Sequence, residues 1–172
     1  WSAGDLRYYD GGAIFYNYGT CNITSNVNIV QFNVPVGAKF INALGGYFYV
    51  NGNCNFGGSG ITFENRGFAQ VTSGEIVLNM PSFHSGTLRV LNLAAFRLGG
   101  FVCTIDGSAV LDGKGLYEIN GGTFTVDNQT DLDSLTLRLT SGFINGVSIL
   151  NFGPGSVFEW NGGTISGSVV IN

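Results

Sequence analysis

One short signature occurs six times in this chain, and its spacing leaves few architectures open. An apolar residue, a Gly-bearing corner and a short apolar strand appear at Leu44-Gly45-Gly46-Tyr47-Phe48, Val71-Thr72-Ser73-Gly74-Glu75-Ile76 and Leu98-Gly99-Gly100-Phe101-Val102, starting 27 residues apart. The signature returns at Ile119-Asn120-Gly121-Gly122-Thr123-Phe124, Leu139-Thr140-Ser141-Gly142-Phe143-Ile144 and Trp160-Asn161-Gly162-Gly163-Thr164-Ile165, now in steps of 20 or 21 residues. Stacked β-coils produce such a period, because each coil must offer the same inward positions to its neighbours.

Segments such as Ala69-Gln70-Val71, Ile76-Val77-Leu78 and Leu88-Arg89-Val90 place an outward residue between two apolar ones, the mark of strands with one dry and one wet face. Three such segments per coil predict an all-β, triangular parallel β-solenoid, with long 27-residue coils giving way to coils of about 21. Insertions such as Asn65-Arg66-Gly67-Phe68 and Asn92-Leu93-Ala94-Ala95 are absent from the shorter coils, so the expected solenoid narrows as a corner is lost. About seven coils at ~4.8 Å each give a stack roughly 30–35 Å tall. Helix is not expected: 28 glycines interrupt nearly every window, and no 3.6-residue apolar period runs for three turns.

The residues preceding the signature are Gln70, Arg97, Glu118, Arg138 and Glu159. Stacked in register, the last four form an alternating charge ladder, each opposite-charge contact contributing about 0.2–1 kcal/mol. Residues 1–40 match the repeat poorly and read as an aromatic N-terminal cap or degenerate first coils, with 41–172 the solenoid proper. Trp1, Tyr8, Tyr9, Tyr16 and Tyr18 in this stretch could alternatively form an exposed platform for sugar rings. At the other end, Val169, Val170 and Ile171 form an apolar strand with no Pro, charge or closing helix. Either the chain continues or this edge pairs with a neighbour.

A net charge of −4 with seven scattered Lys and Arg argues against nucleic acid. No apolar run is long enough for a membrane-spanning helix, and the strands are too short and Gly-broken for an outer-membrane barrel. Chemistry is sparse. His84 is the sole histidine and reads as an exposed turn residue. Asp127, Asp131 and Asp133 are the densest carboxylates, but they lack the Gly-anchored spacing of a calcium loop and read as a solvated turn, with no cofactor implied. Among the acids, Asp106, Asp112, Glu118 and Glu159 fall in different columns or are paired in the ladder, so no acid cluster for polysaccharide cleavage is expected. No Gly-x-Ser-x-Gly elbow is present. Thr72, Thr123, Thr140 and Thr164 cluster near one corner without forming the two-wide array that ice binding needs. Cys103 aligns with Ile76 as a small buried hydrophobe, whereas Cys21 and Cys54 fall at different phases, leaving a corner disulfide open.

Asn22-Ile23-Thr24 and Asn128-Gln129-Thr130 fit the N-glycosylation sequon. A start at Trp1 suggests a processed protein or a fragment. The segment Val157 to Gly167, with weaker copies at Leu116 to Thr125 and Leu137 to Asn145, resembles the Gly-rich repeats of large secreted β-helical proteins of the adhesin and autotransporter-passenger type. That resemblance implies an extracellular stalk, adhesin or fibre subunit. The expected role is therefore structural or adhesive and non-enzymatic, with like subunits or flanking repeats as partners. A glycan-binding module and a β-helical polysaccharide lyase or hydrolase are the alternatives.

Overall fold

The computed structural model describes residues 4–8, 12–31, 37–58 and 60–172. The first strands in chain order are β1 (Gly4–Tyr8), β2 (Ile14–Asn17), β3 (Thr20–Ile23), β4 (Val27–Gln31), β5 (Ala38–Asn42), β6 (Tyr47–Gly57) and β7 (Ile61–Asn65). The chain continues through β8 (Phe68–Asn79), β9 (Ser82–His84), β10 (Thr87–Val90), β11 (Ala95–Leu98), β12 (Val102–Ile105), β13 (Val110–Asp112) and β14 (Leu116–Val126). It ends with β15 (Thr130–Asp133), β16 (Thr136–Gly146), β17 (Ile149–Phe152), β18 (Val157–Trp160), β19 (Thr164–Ile165) and β20 (Val170–Ile171). The described residues contain no helix.

Every strand pairing is parallel, and the pairings resolve into three faces of a β-solenoid. On the first face the inward column runs Leu6, Ile29, Phe56, Leu78, Leu98, Ile119, Leu139 and Trp160. On the second it runs Phe15, Phe40, Phe63, Ser82, Cys103, Phe124, Ile144 and Ile165. The third begins with Ile23, Val50, Val71 and Val90 and continues through β13, β15, β17 and β20. Strands β6, β8, β14 and β16 each bend through a corner and serve two faces. Each face thus stacks eight strand segments, or seven inter-coil steps.

The spacing of the signature has a different origin from the one expected. Leu44-Gly45-Gly46 turns the chain from second face to third, Ser73-Gly74 from third to first, and Gly99-Gly100 from first to second. A step of 27 residues is therefore one coil plus one side. The later signatures all lie at the first-to-second corner, so their steps of 20 or 21 are the true coil length. A 27-residue coil does occur near the N-terminus, from Ile29 to Phe56, and it owes its excess to the segment between β4 and β5. All three faces persist to β20, so no corner is lost. Leu88-Arg89-Val90 stacks on Ala69-Gln70-Val71 and belongs to the following coil. The expected narrowing and the proposed phases of Cys103 and Gln70 fall with the misread step: Cys103 stacks between Ser82 and Phe124, and Gln70 between Tyr49 and Arg89.

The strands before residue 40 pair in the same ladders as the rest. Their core is aromatic, with the Phe40 ring packed against Phe15, Phe48, Phe56 and Phe63 at centroid distances of 4.8–5.8 Å. Toward the other end the filling is more aliphatic, with Leu111, Leu132, Leu137, Leu139, Ile144 and Leu150 buried alongside Tyr117 and Phe124. Phenylalanine and aliphatic side chains alike fill the bore without a polar atom to satisfy.

At the second-to-third corner the core is polar. Asn17 donates from Nδ2 to Asn42 Oδ1 and to the Tyr47 carbonyl, both at 2.8 Å. Asn42 repeats this toward Asn65 Oδ1 at 2.8 Å and the Phe68 carbonyl at 3.1 Å, and Asn65 donates to the Thr87 carbonyl at 2.8 Å. Each amide donates to a corner carbonyl of the next coil, and Asn17 and Asn42 also donate to the next amide of the column, as burial requires. The residue stacked on Asn65 is His84. It is fully buried, not an exposed turn residue, because it closes this inward column with its ring between those of Phe63 and Phe96.

Candidate functional site

The outward side of the third face carries the densest functional chemistry. One column reads Tyr47, Phe68, Thr87, Val110 and Asp131, and the column beside it reads Asn22, Tyr49, Gln70, Arg89, Asp112 and Asp133. Phe48 lies between the two tyrosines and points inward, so strand alternation sends both Tyr rings out together. Those rings stack at 6.1 Å and 14°, with Phe68 of the next coil 6.1 Å from Tyr47 and 6.0 Å from Tyr49. Tyr47 is 46% exposed.

The next coil contributes Arg89, whose guanidinium carbon lies 5.4 Å from the Phe68 ring centroid. The same group forks onto Asp112, Nε to Oδ1 at 2.8 Å and Nη2 to Oδ2 at 2.6 Å, which raises the arginine pKa further. Asp133 stacks directly on Asp112, a like-charge contact that is unfavourable by itself. These two carboxylates share a groove of about 670 Å³ with Thr72, Arg89, Asn92 and Lys114. Asp112, read from the sequence as standing in a column apart from other acids, thus has Asp133 as its register partner. The misread period hid the pairing of Asp112 with Asp133, and the correct 21-residue step between them would have shown it.

The charge ladder occupies the outward side of the first face. Arg97, Glu118, Arg138 and Glu159 are register partners in that order. Arg97 pairs with Glu118 and also reaches Glu75 at 2.7 Å, while Arg138 Nε lies 2.5 Å from Glu159. Glu118 is nearly buried and also accepts from Thr140 Oγ1 at 3.1 Å. The register partner of Arg97 in the preceding coil is Val77, with Glu75 reaching the guanidinium from two residues away, and Gln70 sits on another face.

The other sequence-derived positions are dispersed. Trp1, Tyr9 and the side chain of Tyr8 lie outside the described residues. Tyr16 and Tyr18 stack at 5.5 Å and are 46% and 71% exposed, on the second face and its corner. Asn22 and Asn128 are both exposed. Asp127 lies in a corner while Asp131 and Asp133 project from β15; Asn151 and Gln129 donate to Asp131, holding its carboxyl below the usual range. No group of three or more His, Cys, Asp or Glu suited to a metal ion occurs among the described residues. Thr123 and Thr164 are separated in their column by Phe143.

Cys21, Cys54 and Cys103 are free thiols. Burial pushes Cys103 up to about 12 and Cys54 higher still, with Cys21 adding to the upward push on Cys54. Such thiols are poor nucleophiles. No helix of the described residues is long and apolar enough to cross a membrane.

The last coil differs from those below it. Trp160 is 59% exposed although its partner Leu139 is fully buried, and Ile171 is 37% exposed over buried Leu150. Phe158, Ile165 and Val169 are partly buried against the core beside them. Within the described residues β18, β19 and β20 are paired on one side only. The apolar edge expected at Val169, Val170 and Ile171 thus continues around all three faces. No family model, curated protein or solved structure matches the chain.

Proposed function

We propose that this protein is a non-enzymatic structural element of adhesive type, a length of rod extended by stacking a like coil onto its last one. The observation that supports this reading is the uncovered apolar end formed by Phe158, Trp160, Ile165 and Ile171, backed by unpaired strand edges. Open edges of this kind pair readily, and a head-to-tail contact builds a filament instead of a closed ring. The setting is extracellular, a reading supported by the exposed sequon residues Asn22 and Asn128 and by the resemblance of the Gly-rich repeats to secreted β-helical proteins.

Light scattering and electron microscopy over a range of concentrations test the proposal. End-to-end oligomers in the wild type, abolished by Val170→Lys with Trp160→Glu, are expected. A monomer across the whole range would overturn it.

A further inference from the structure

We infer that the outward side of the third face binds a neutral glycan chain lying along the solenoid axis. Tyr47, Tyr49 and Phe68 present three adjoining rings on two successive coils. Gln70, Arg89 and Asp112 carry the same strip onward with donors and acceptors. Sugars match this sequence of groups, because their C–H faces stack on aromatic rings while their hydroxyls reach for polar groups at the rim. The coil spacing of ~4.8 Å brings a new rung of side chains under roughly each sugar unit of an extended chain.

Charge selects the class of glycan. Arg89 is already neutralised by its fork onto Asp112, and the remaining charges of the groove, Lys114 and Asp133, are of opposite sign. With no surplus of positive charge, the strip has nothing with which to hold a polyuronate. The platform lies on the side of the rod, so its occupation is independent of the stacking at the end.

Native gels cast with hydroxyethyl cellulose, xylan, galactomannan or mixed-linkage β-glucan test the assignment, with polygalacturonate as the charged control. At least one neutral polymer should retard the full chain. Tyr47→Ala with Tyr49→Ala should weaken that retardation at least tenfold, Phe68→Leu should weaken it while keeping the packing, and Tyr16→Ala with Tyr18→Ala should leave it unchanged. Circular dichroism melts confirm that each variant is folded. The inference is overturned by any of four results: no retardation in any neutral gel, retardation by polygalacturonate alone, equal retardation of the platform variants, or loss only in the Tyr16 and Tyr18 variant. Self-association abolished by Tyr47→Ala in the absence of glycan would likewise overturn it, by making the platform a protein interface.

Discussion

At the scale of single residues, the buried polar column governs what the protein tolerates. Asn42 gives one hydrogen bond to Asn65 and one to the Phe68 carbonyl while accepting one from Asn17. Asn42→Ala removes all three bonds from the core, and at about 1–3 kcal/mol for each buried bond lost we expect a loss of about 3–5 kcal/mol in urea unfolding. His84 ends the column without a hydrogen-bond partner for either ring nitrogen among the described residues. Burial alone lowers its pKa to about 4, so between that value and the ordinary 6.5 the unfolded chain binds the proton and the folded one does not. Stability from this group is therefore complete above pH 6.5 and falls by about 3 kcal/mol as the pH drops to 4. His84→Phe should remove this slope from pH 6.5 down to 4 and raise stability at pH 7 by about 1–2 kcal/mol, as read from unfolding midpoints across pH.

At the scale of elements, corners and strands carry different constraints, and this explains which features were legible in the sequence. A Cβ on Gly67 would lie 2.3 Å from the Ala43 carbonyl oxygen and 2.4 Å from that of Gly46, because successive second-to-third corners stack backbone on backbone. Gly45 has φ +81° but open space around its Cβ position. Gly67→Ala should therefore cost about 3 kcal/mol and Gly45→Ala about 1, a contrast that paired urea melts will show. The strands were readable from alternation in segments such as Ile76-Val77-Leu78. The corners are indistinguishable in the sequence, because a Gly soon after an apolar residue looks the same at Leu44, Val71 and Leu98 although each lies between different faces. Outward columns inherited that ambiguity. Arg97 to Glu159 were readable since they all precede the same corner, whereas the Tyr47, Tyr49 and Phe68 platform required the register between β6 and β8. His84 reads as exposed in the sequence for a related reason: the inward positions it follows, Asn42 and Asn65, are polar, and polarity in a sequence suggests exposure.

At the scale of the whole molecule, each coil touches only its neighbours, so stability is distributed along one axis. Hydrogen exchange should be slowest for amides in the middle of the first face, around Leu78 and Leu98, and fastest in β18 to β20, where Trp160 and Ile171 lack cover. Uniform protection to the last strand in a dilute monomer would contradict this gradient. The charge ladder has a consequence for how such a rod changes length over evolutionary time. Duplication or loss of a coil preserves the apolar columns, since Leu98, Ile119 and Leu139 are interchangeable rungs. Loss of the single coil between Ile119 and Leu139, however, would set Glu118 against Glu159, whereas loss of both the Glu118 and Arg138 coils brings Arg97 against Glu159 and restores attraction. The ladder acts as a parity check, and recombination that keeps this face intact alters coil number by twos.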